Sequence, residues 1–275
     1  MTKSPRACVI GNPISHSLSP KLHGYWLKRY DLPGEYTSLQ VAEADLENVL
    51  RTLPEQGFVG VNVTIPHKVD VLQYADQITD RATLIGAANT LTFKEDGRIF
   101  ADNTDGYGFI SNLRQGAPDW NPKSGPAMVF GAGGAARAVI VALADAGAPE
   151  IILTNRTRAK AEALRADFGA RIRVVDWVQA GTALKDAGVL VNTTSLGMKG
   201  AADFKVSLDE LRPETVVTDI VYNPLRTPLL TTAEKLGCTT VDGLGMLLHQ
   251  GVPGFERWFG KRPEVDEDTR QAVLA

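Results

Sequence analysis

The stretch that decides the fold is "AMVFGAGGAARAVIVALADAG", residues 127–147. Four apolar residues run into a glycine-rich turn, and the turn opens a long Ala-rich helical pattern. Gly131, Gly133 and Ala136 fit the Gly-x-Gly-x-x-Gly/Ala spacing of a dinucleotide site. Gly131 permits the tight turn, Gly133 lets the backbone approach a pyrophosphate, and Ala136 keeps the helix close to the sheet. The helix N-terminus then supplies amide donors and a favourable dipole. Glycine-rich turns also serve packing, so the context carries the reading: a strand before, a helix after and another strand beyond.

That next strand lies in "EIILTNRTRAK", residues 150–160. In a dinucleotide unit it usually ends in an acid that holds a free ribose 2′-hydroxyl. Here Ile151–Thr154 runs into Asn155, Arg156 and Thr157, with Arg158 and Lys160 close behind. A carboxylate would repel a 2′-phosphate, whereas a guanidinium forms forked, charge-assisted bonds to one. Thr157 can add a hydroxyl, and Arg158 or Lys160 more positive charge. Cations gain nothing from the dipole at a helix N-terminus, which weighs against an ordinary surface cluster. The stretch points to NADP rather than NAD, with Arg156 foremost.

Further out, strand candidates fall at 127–130, 150–154, 171–175, 188–193, 215–220 and 238–242. Several are near-continuous apolar runs, as strands covered on both faces should be. Helical patterns between several of them predict a doubly wound parallel sheet, a Rossmann domain. The N-terminal part is also α/β. "RACVIG" (6–11) reads as a strand, and "ADLENVLRTLPEQ" (44–56) carries a helical apolar stripe. "FVGVNVTIP" (58–66) alternates strictly, with Val59, Val61, Val63 and Ile65 on one face and Asn62 and Thr64 on the other. "AANTLTF" and "RIFAD" read as a hairpin around Asp96-Gly97. The pattern at 243–259 is helical, but periodicity does not fix where it packs.

The composition is that of an ordinary globular protein, and 275 residues suffice for two domains. A net charge of −3 gives no general attraction to nucleic acid or membrane. No signal peptide or membrane span is expected. Cys8 and Cys238 sit far apart in apolar runs and read as buried thiols, consistent with a reducing cytoplasm. His16, His23, His67 and His249 lack metal-ligand spacing, so no metal is expected.

Polar residues gather at the N-terminal strand ends. "GNPISHSLSP" offers Ser15, Ser17 and Ser19. "NVTIPHK" offers Asn62, Thr64 and Lys68, "GAANTL" offers Asn89, and "ADNTDGYG" offers Asp102, Asn103, Thr104 and Asp105. Singly, such residues cap helices or make turns. Clustered at strand ends, they suit a small polyhydroxylated ligand.

These stretches, with "NRT", "NTTSLGM", "DIVYNP", "TPLL" and "DGLGMLLHQG", resemble the shikimate dehydrogenase family across nearly the whole chain and in the family's order. The resemblance implies reversible, NADPH-dependent reduction of 3-dehydroshikimate to shikimate in aromatic amino-acid biosynthesis. It implies a catalytic couple of Lys68 and Asp105, with Ser17 and Ser19 on the substrate carboxylate. Thr64, Asn89 and Gln250 would hold hydroxyls or support the site, with Tyr222 also toward the substrate. The cofactor set would be Gly131, Ala132, Gly133, Gly134, Ala135, Asn155, Arg156, Thr157, Lys160, Thr193, Gly243 and Met246. The family pattern also implies a substrate domain of residues 1–104 and 243–275, an NADP domain of 105–242, and C-terminal helices packing back on the substrate domain. The expected partner is a small molecule, and the expected state a monomer or homodimer. Relatives that oxidise quinate, sometimes with NAD, and a non-catalytic NADP sensor are the alternatives.

Alcohol oxidation by NADP needs a hydride acceptor and a route for the hydroxyl proton. Lys68 is the candidate proton carrier. A free lysine has a pKa of about 10.4. Desolvation would lower it and a nearby Asp105 carboxylate would oppose that, so Lys68 either carries the proton or stays charged against a developing alkoxide.

Overall fold

The computed structural model describes residues 4–275. In chain order the strands and α-helices begin with β1 (Arg6–Gly11), α1 (Ser19–Arg29), β2 (Glu35–Gln40), α2 (Leu46–Thr52) and β3 (Phe58–Val63). Next come β4 (Gln77–Ile78), α3 (Asp80–Ile85), β5 (Thr90–Phe93), β6 (Ile99–Asp102) and α4 (Asp105–Gly116). Then follow β7 (Ala127–Phe130), α5 (Gly134–Ala146), β8 (Ile151–Thr154), α6 (Arg158–Phe168), β9 (Ile172–Val174) and β10 (Val189–Asn192). The last are β11 (Val216–Asp219), α7 (Pro228–Lys235), β12 (Thr240–Val241), α8 (Leu244–Phe259) and α9 (Glu267–Leu274). The chain divides into two compact units. One ends at Asp105 and resumes over Leu247–Ala275, and the other is Gly106–Met246.

The first unit is built on a mixed sheet of order β2-β1-β3-β5-β6-β4. β1 runs parallel to β2 and β3, and β5 antiparallel to β3 and β6, so the hairpin around Asp96-Gly97 is present. Val61 and Val63 of β3 join Cys8, Ile10, Leu46, Leu50 and Leu91 in one buried core. The strand stops at Val63, and Ile65 is 71% exposed in the following turn rather than on the apolar face. The stripe over 44–56 forms only a short α-helix flanked by 3₁₀ turns, because Pro54 has no amide proton to extend the ladder. The other sheet face is covered by α1 and α8. At Gly60 a Cβ would run into the Trp258 indole and the Leu91 carbonyl oxygen, so α8 lies flush on β3. Trp258 Nε1 donates to that same carbonyl at 3.1 Å. Arg29 of α1 grips Asp266, just before α9, with two bonds of 2.8 Å.

The second unit is a parallel sheet of order β12-β11-β10-β7-β8-β9. Read from the β9 edge, this is the 3-2-1-4-5-6 winding of a dinucleotide fold, with its switch between β7 and β10. Its apolar strands feed two cores by alternation. Ala127, Val129, Ile151, Leu153, Val189 and Val191 point to one side, and Met128, Phe130, Ile152, Leu190 and Val217 to the other. That is why these strands read as continuous apolar runs. Among the described residues no helix is long and apolar enough to cross a membrane.

Candidate active site

In the first unit Lys68 follows the turn after β3, and Asp105 lies at the start of α4. Lys68 Nζ stands 2.6 Å from Asp105 Oδ2, and the two side chains are 15% and 4% exposed. Two backbone bonds steady the lysine's segment: His67 N donates to Thr64 O at 3.0 Å, and Ala88 N to Lys68 O at 2.8 Å. His67 is buried with Nε2 2.8 Å from the Val41 carbonyl oxygen, so it packs rather than reacts. Asp105 is fixed through its own amide, which donates to Asn103 Oδ1 at 3.0 Å, while Asn103 Nδ2 donates to Ala87 O at 2.9 Å.

Asn89 ties this pair to the C-terminal segment. Thr104 N–H donates to Asn89 Oδ1 at 2.7 Å, and a backbone N–H can only donate, so the orientation of the amide is decided. Asn89 Nδ2 must then face acceptors. It lies 2.9 Å from Asp105 Oδ1 and 3.0 Å from Gln250 Oε1. Thr104 Oγ1 donates to the Gln250 carbonyl at 2.8 Å. One carboxylate thus receives Lys68 on one oxygen and Asn89 on the other. Ser17 and Ser19 lie at the entrance to α1, where Ser17 Oγ accepts the Ser19 amide at 3.3 Å. Ser19 is buried, and Ser17 and Thr64 are half-buried. Asp102 is used structurally. Burial pushes its carboxyl up, but Arg257 bonds and charge, with the Thr79 hydroxyl, hold it below the ordinary value.

The second unit holds the other predicted residues. Gly131, at φ +112°, could not be another residue: its Cβ would strike Thr193 Oγ1. Thr193 in turn donates that hydroxyl to the Phe130 carbonyl at 2.7 Å, closing the switch between β7 and β10. Gly133 is exposed with nothing within 4 Å of a would-be Cβ, and no side chain caps the N-terminus of α5. Gly134, Ala132 and Ala135, all half-buried, complete the turn. Asn155 Nδ2 donates to the Thr157 carbonyl at 2.9 Å, and the Thr157 hydroxyl makes no cap to α6. Arg158 is committed elsewhere, to Asp176 at 2.7 Å and Glu162 at 2.9 Å. Arg156 and Lys160 are exposed and form no ion pair among the described residues, which leaves them as the free cations beside β8. An open glycine, uncapped amides and an unpaired guanidinium together fit a pyrophosphate and a 2′-phosphate. Tyr222, half-buried, and Gly243 and Met246, both buried, also lie in this unit, with Met246 in its core. Among the described residues no group of three or more His, Cys, Asp or Glu could hold a metal ion.

Comparison with known proteins decides the family. The chain matches the shikimate dehydrogenase substrate binding domain over residues 9–91, shikimate / quinate 5-dehydrogenase over 117–216, and the shikimate 5′-dehydrogenase C-terminal domain over 243–274. It is 67% identical, over 100% of its length and 99% of the relative's, to shikimate dehydrogenase (NADP(+)) of Cereibacter sphaeroides. The chain belongs to the shikimate dehydrogenase family. Among solved structures, Thermus thermophilus shikimate 5-dehydrogenase in complex with NADP(H) and shikimate superposes with a TM-score of 0.87 at 36% identity, covering 98% of each chain. Quinate dehydrogenase from Corynebacterium glutamicum in complex with NAD gives 0.91 at 29% identity, covering 98% of this chain and 99% of that one.

Some residues of this shikimate dehydrogenase site carry little sequence signal. Tyr36 hides in the polar run "EYTSLQ", yet its hydroxyl donates to Asn62 Oδ1 at 2.6 Å. Asn62 Nδ2 lies 3.3 Å from Thr90 Oγ1, which donates to Asn89 Oδ1 at 3.1 Å. A buried polar chain therefore runs from Tyr36 to Asp105. Asn62, Asn89 and Asp105 stand out in the sequence, whereas Tyr36 and Thr90 do not. Asp219, a carboxylate closing the apolar strand "VVTD", is a further such signal.

Proposed function

We propose that this chain is an NADP-dependent shikimate dehydrogenase, reducing 3-dehydroshikimate to shikimate reversibly in aromatic amino-acid biosynthesis. The observation that carries the reading is the shielded Lys68–Asp105 pair at 2.6 Å, joined to Asn89 and Gln250. When bound, NADPH supplies the hydride equivalent for the carbonyl carbon, and NADP⁺ takes it back from the alcohol. Lys68 Nζ gives a proton to the carbonyl oxygen and recovers it in the reverse direction. Asp105 holds Nζ in place and balances its charge, so the two act as one unit.

Ser17 and Ser19 receive the substrate carboxylate, while Thr64, Asn89 and Gln250 receive or support the ring hydroxyls. The first unit is then the substrate and catalytic domain. The second holds NADP, with the pyrophosphate at Gly131–Ala135 and the 2′-phosphate at Arg156, flanked by Asn155, Thr157 and Lys160. Thr193, Gly243 and Met246 serve the nicotinamide end. The expected partner is a small molecule and the expected state a cytoplasmic monomer or homodimer; the buried free thiols of Cys8 and Cys238 accord with a reducing compartment.

The test is initial rates for shikimate or quinate with NADP or NAD, in all four combinations. Shikimate with NADP should be fastest. Lys68→Ala should then lower kcat by about 10²–10⁴-fold while NADP affinity holds. Preference for quinate or NAD would move the chain to the other branch of the family. Tight NADP binding without turnover would leave a sensor.

A further inference from the structure

Asp219 closes β11 with 0% exposure and, among the described residues, no cation beside it. Three donors converge on it. Asn192 Nδ2 at 2.9 Å and Val221 N at 3.0 Å reach Oδ1, and Thr227 Oγ1 at 2.8 Å reaches Oδ2. The direction of each bond is forced. Asn192 Oδ1 already accepts Thr194 N at 3.1 Å and Thr194 Oγ1 at 2.7 Å, so its Nδ2 must point to Asp219. The same Nδ2 also reaches the Leu196 carbonyl at 3.1 Å. Thr227 spends its proton on Asp219 and offers a lone pair to Leu230 N, capping α7 at 3.4 Å. A carboxylate brings no proton of its own and accepts all three.

What these bonds join is the relevant point. The segment after β10 carries Thr193, and the segment after β11 carries Tyr222. Lys199 N donates to the Asn223 carbonyl at 2.9 Å, a second stitch between the same two segments. A Cβ at Gly243, after β12, would run into the Ile220 carbonyl, so a third segment rests on the backbone next to Asp219. Residues 193–215 contain no α-helix to hold themselves in place.

We propose that Asp219 is a positioning residue for the reaction: it clamps the Thr193 segment to the Tyr222 segment and so sets the groups at the nicotinamide end. The proposal rests on the NADP-dependent reading above. The pyrophosphate and 2′-phosphate contacts lie elsewhere, at Gly131–Ala135 and Arg156, so loss of the clamp should spare cofactor affinity and reduce turnover. The experiment is steady-state kinetics of Asp219→Ala and Asp219→Asn, with the folded fraction of each measured by urea unfolding. Asp219→Ala should lower kcat per folded molecule by about tenfold or more, with KM for NADPH within about threefold of wild type. Asp219→Asn keeps an acceptor for Asn192 and Val221 and can donate to Thr227, so it should recover most of kcat. If Asp219→Ala does not fold, Thr227→Val removes one of the three donors and should show a smaller fall in kcat at the same KM. Unchanged kcat per folded molecule, or a loss confined to KM, overturns the proposal. Failure of the underlying reading shows separately, as absent turnover in the wild-type protein.

Discussion

His23 on α1 offers a stability experiment whose sign and size follow from its surroundings. The imidazole is fully buried, and neither ring nitrogen has a hydrogen-bond partner among the described residues. It stacks on Tyr36 with centroids 3.9 Å apart and planes 5° from parallel, and Trp26 meets it edge-on. Burial drives its pKa from 6.5 down to about 3. Below pH 6.5 the unfolded chain therefore binds a proton that the folded chain refuses. Stability from this group is complete above 6.5 and is lost as pH falls toward 3. Each pH unit in that window costs about 1.4 kcal/mol, so by pH 4.5 the loss is about 3 kcal/mol. His23→Phe keeps a flat ring in the stack and cannot titrate. The space is tight, since a Cβ on Gly251 would already stand 3.3 Å from Nε2. Overpacking of about 1 kcal/mol or more is offset by removing two unpartnered nitrogens, at about 1–3 kcal/mol each. Urea unfolding of both proteins at pH 7.5 and 4.5, followed by circular dichroism, checks the difference. The variant's advantage should grow by about 3 kcal/mol on acidification. His249, lowered to about 4 by burial, and Asp219, raised to about 6, titrate in both proteins and cancel. An advantage equal at the two pH values would refute the reasoning.

Other outcomes follow from particular contacts. Arg156→Ala should raise KM for NADPH by about 10–100-fold, the worth of charge-assisted bonds to a phosphate, and leave KM for NADH unaltered. Arg158→Ala should change it by less than about threefold, because Arg158 is engaged by Asp176 and Glu162. Gly60→Ala should cost about 3 kcal/mol or more, seen as a large fall in Tm, since the new methyl meets the Trp258 indole and the Leu91 carbonyl. Trp258→Phe should cost about 1–3 kcal/mol in urea unfolding, by leaving Leu91 O without its donor.

The parallel sheet was the most legible part of the chain. Strands such as "AMVF" and "VLVN" feed both cores, so they are apolar at every position and bounded by turns. β2 and β4 gave no pattern because they are edge strands, where only Tyr36 of β2 is buried. The alternation of β3 announced a strand but suggested one dry and one polar face, whereas α8 and the Asn62 network cover that polar face too. Local periodicity cannot report a partner two hundred residues away. Of the site, glycines and cations spoke through their own chemistry: Gly131 for its turn, Arg156 for its charge. Tyr36 and Asn192 act through other side chains, and nothing in their immediate neighbours marks that. The sequence puts Arg156 foremost by its place just after the strand; that Arg158 is engaged by Asp176 and Glu162 depends on residues the local stretch does not bring together.

The discontinuity of the first unit bears on how the protein is made. A chain synthesised from its N-terminus completes residues 106–246, with all six parallel strands, before Leu247–Ala275 exists. Until then Gly60 faces no indole, Asn89 lacks Gln250, and Arg29 lacks Asp266. The growing polypeptide thus carries the part of that sheet face under α8 without its cover through the translation of residues 106–246, with only α1 in place. Of the first unit's strands, β3 is the one left facing solvent at Gly60 until Trp258 is made.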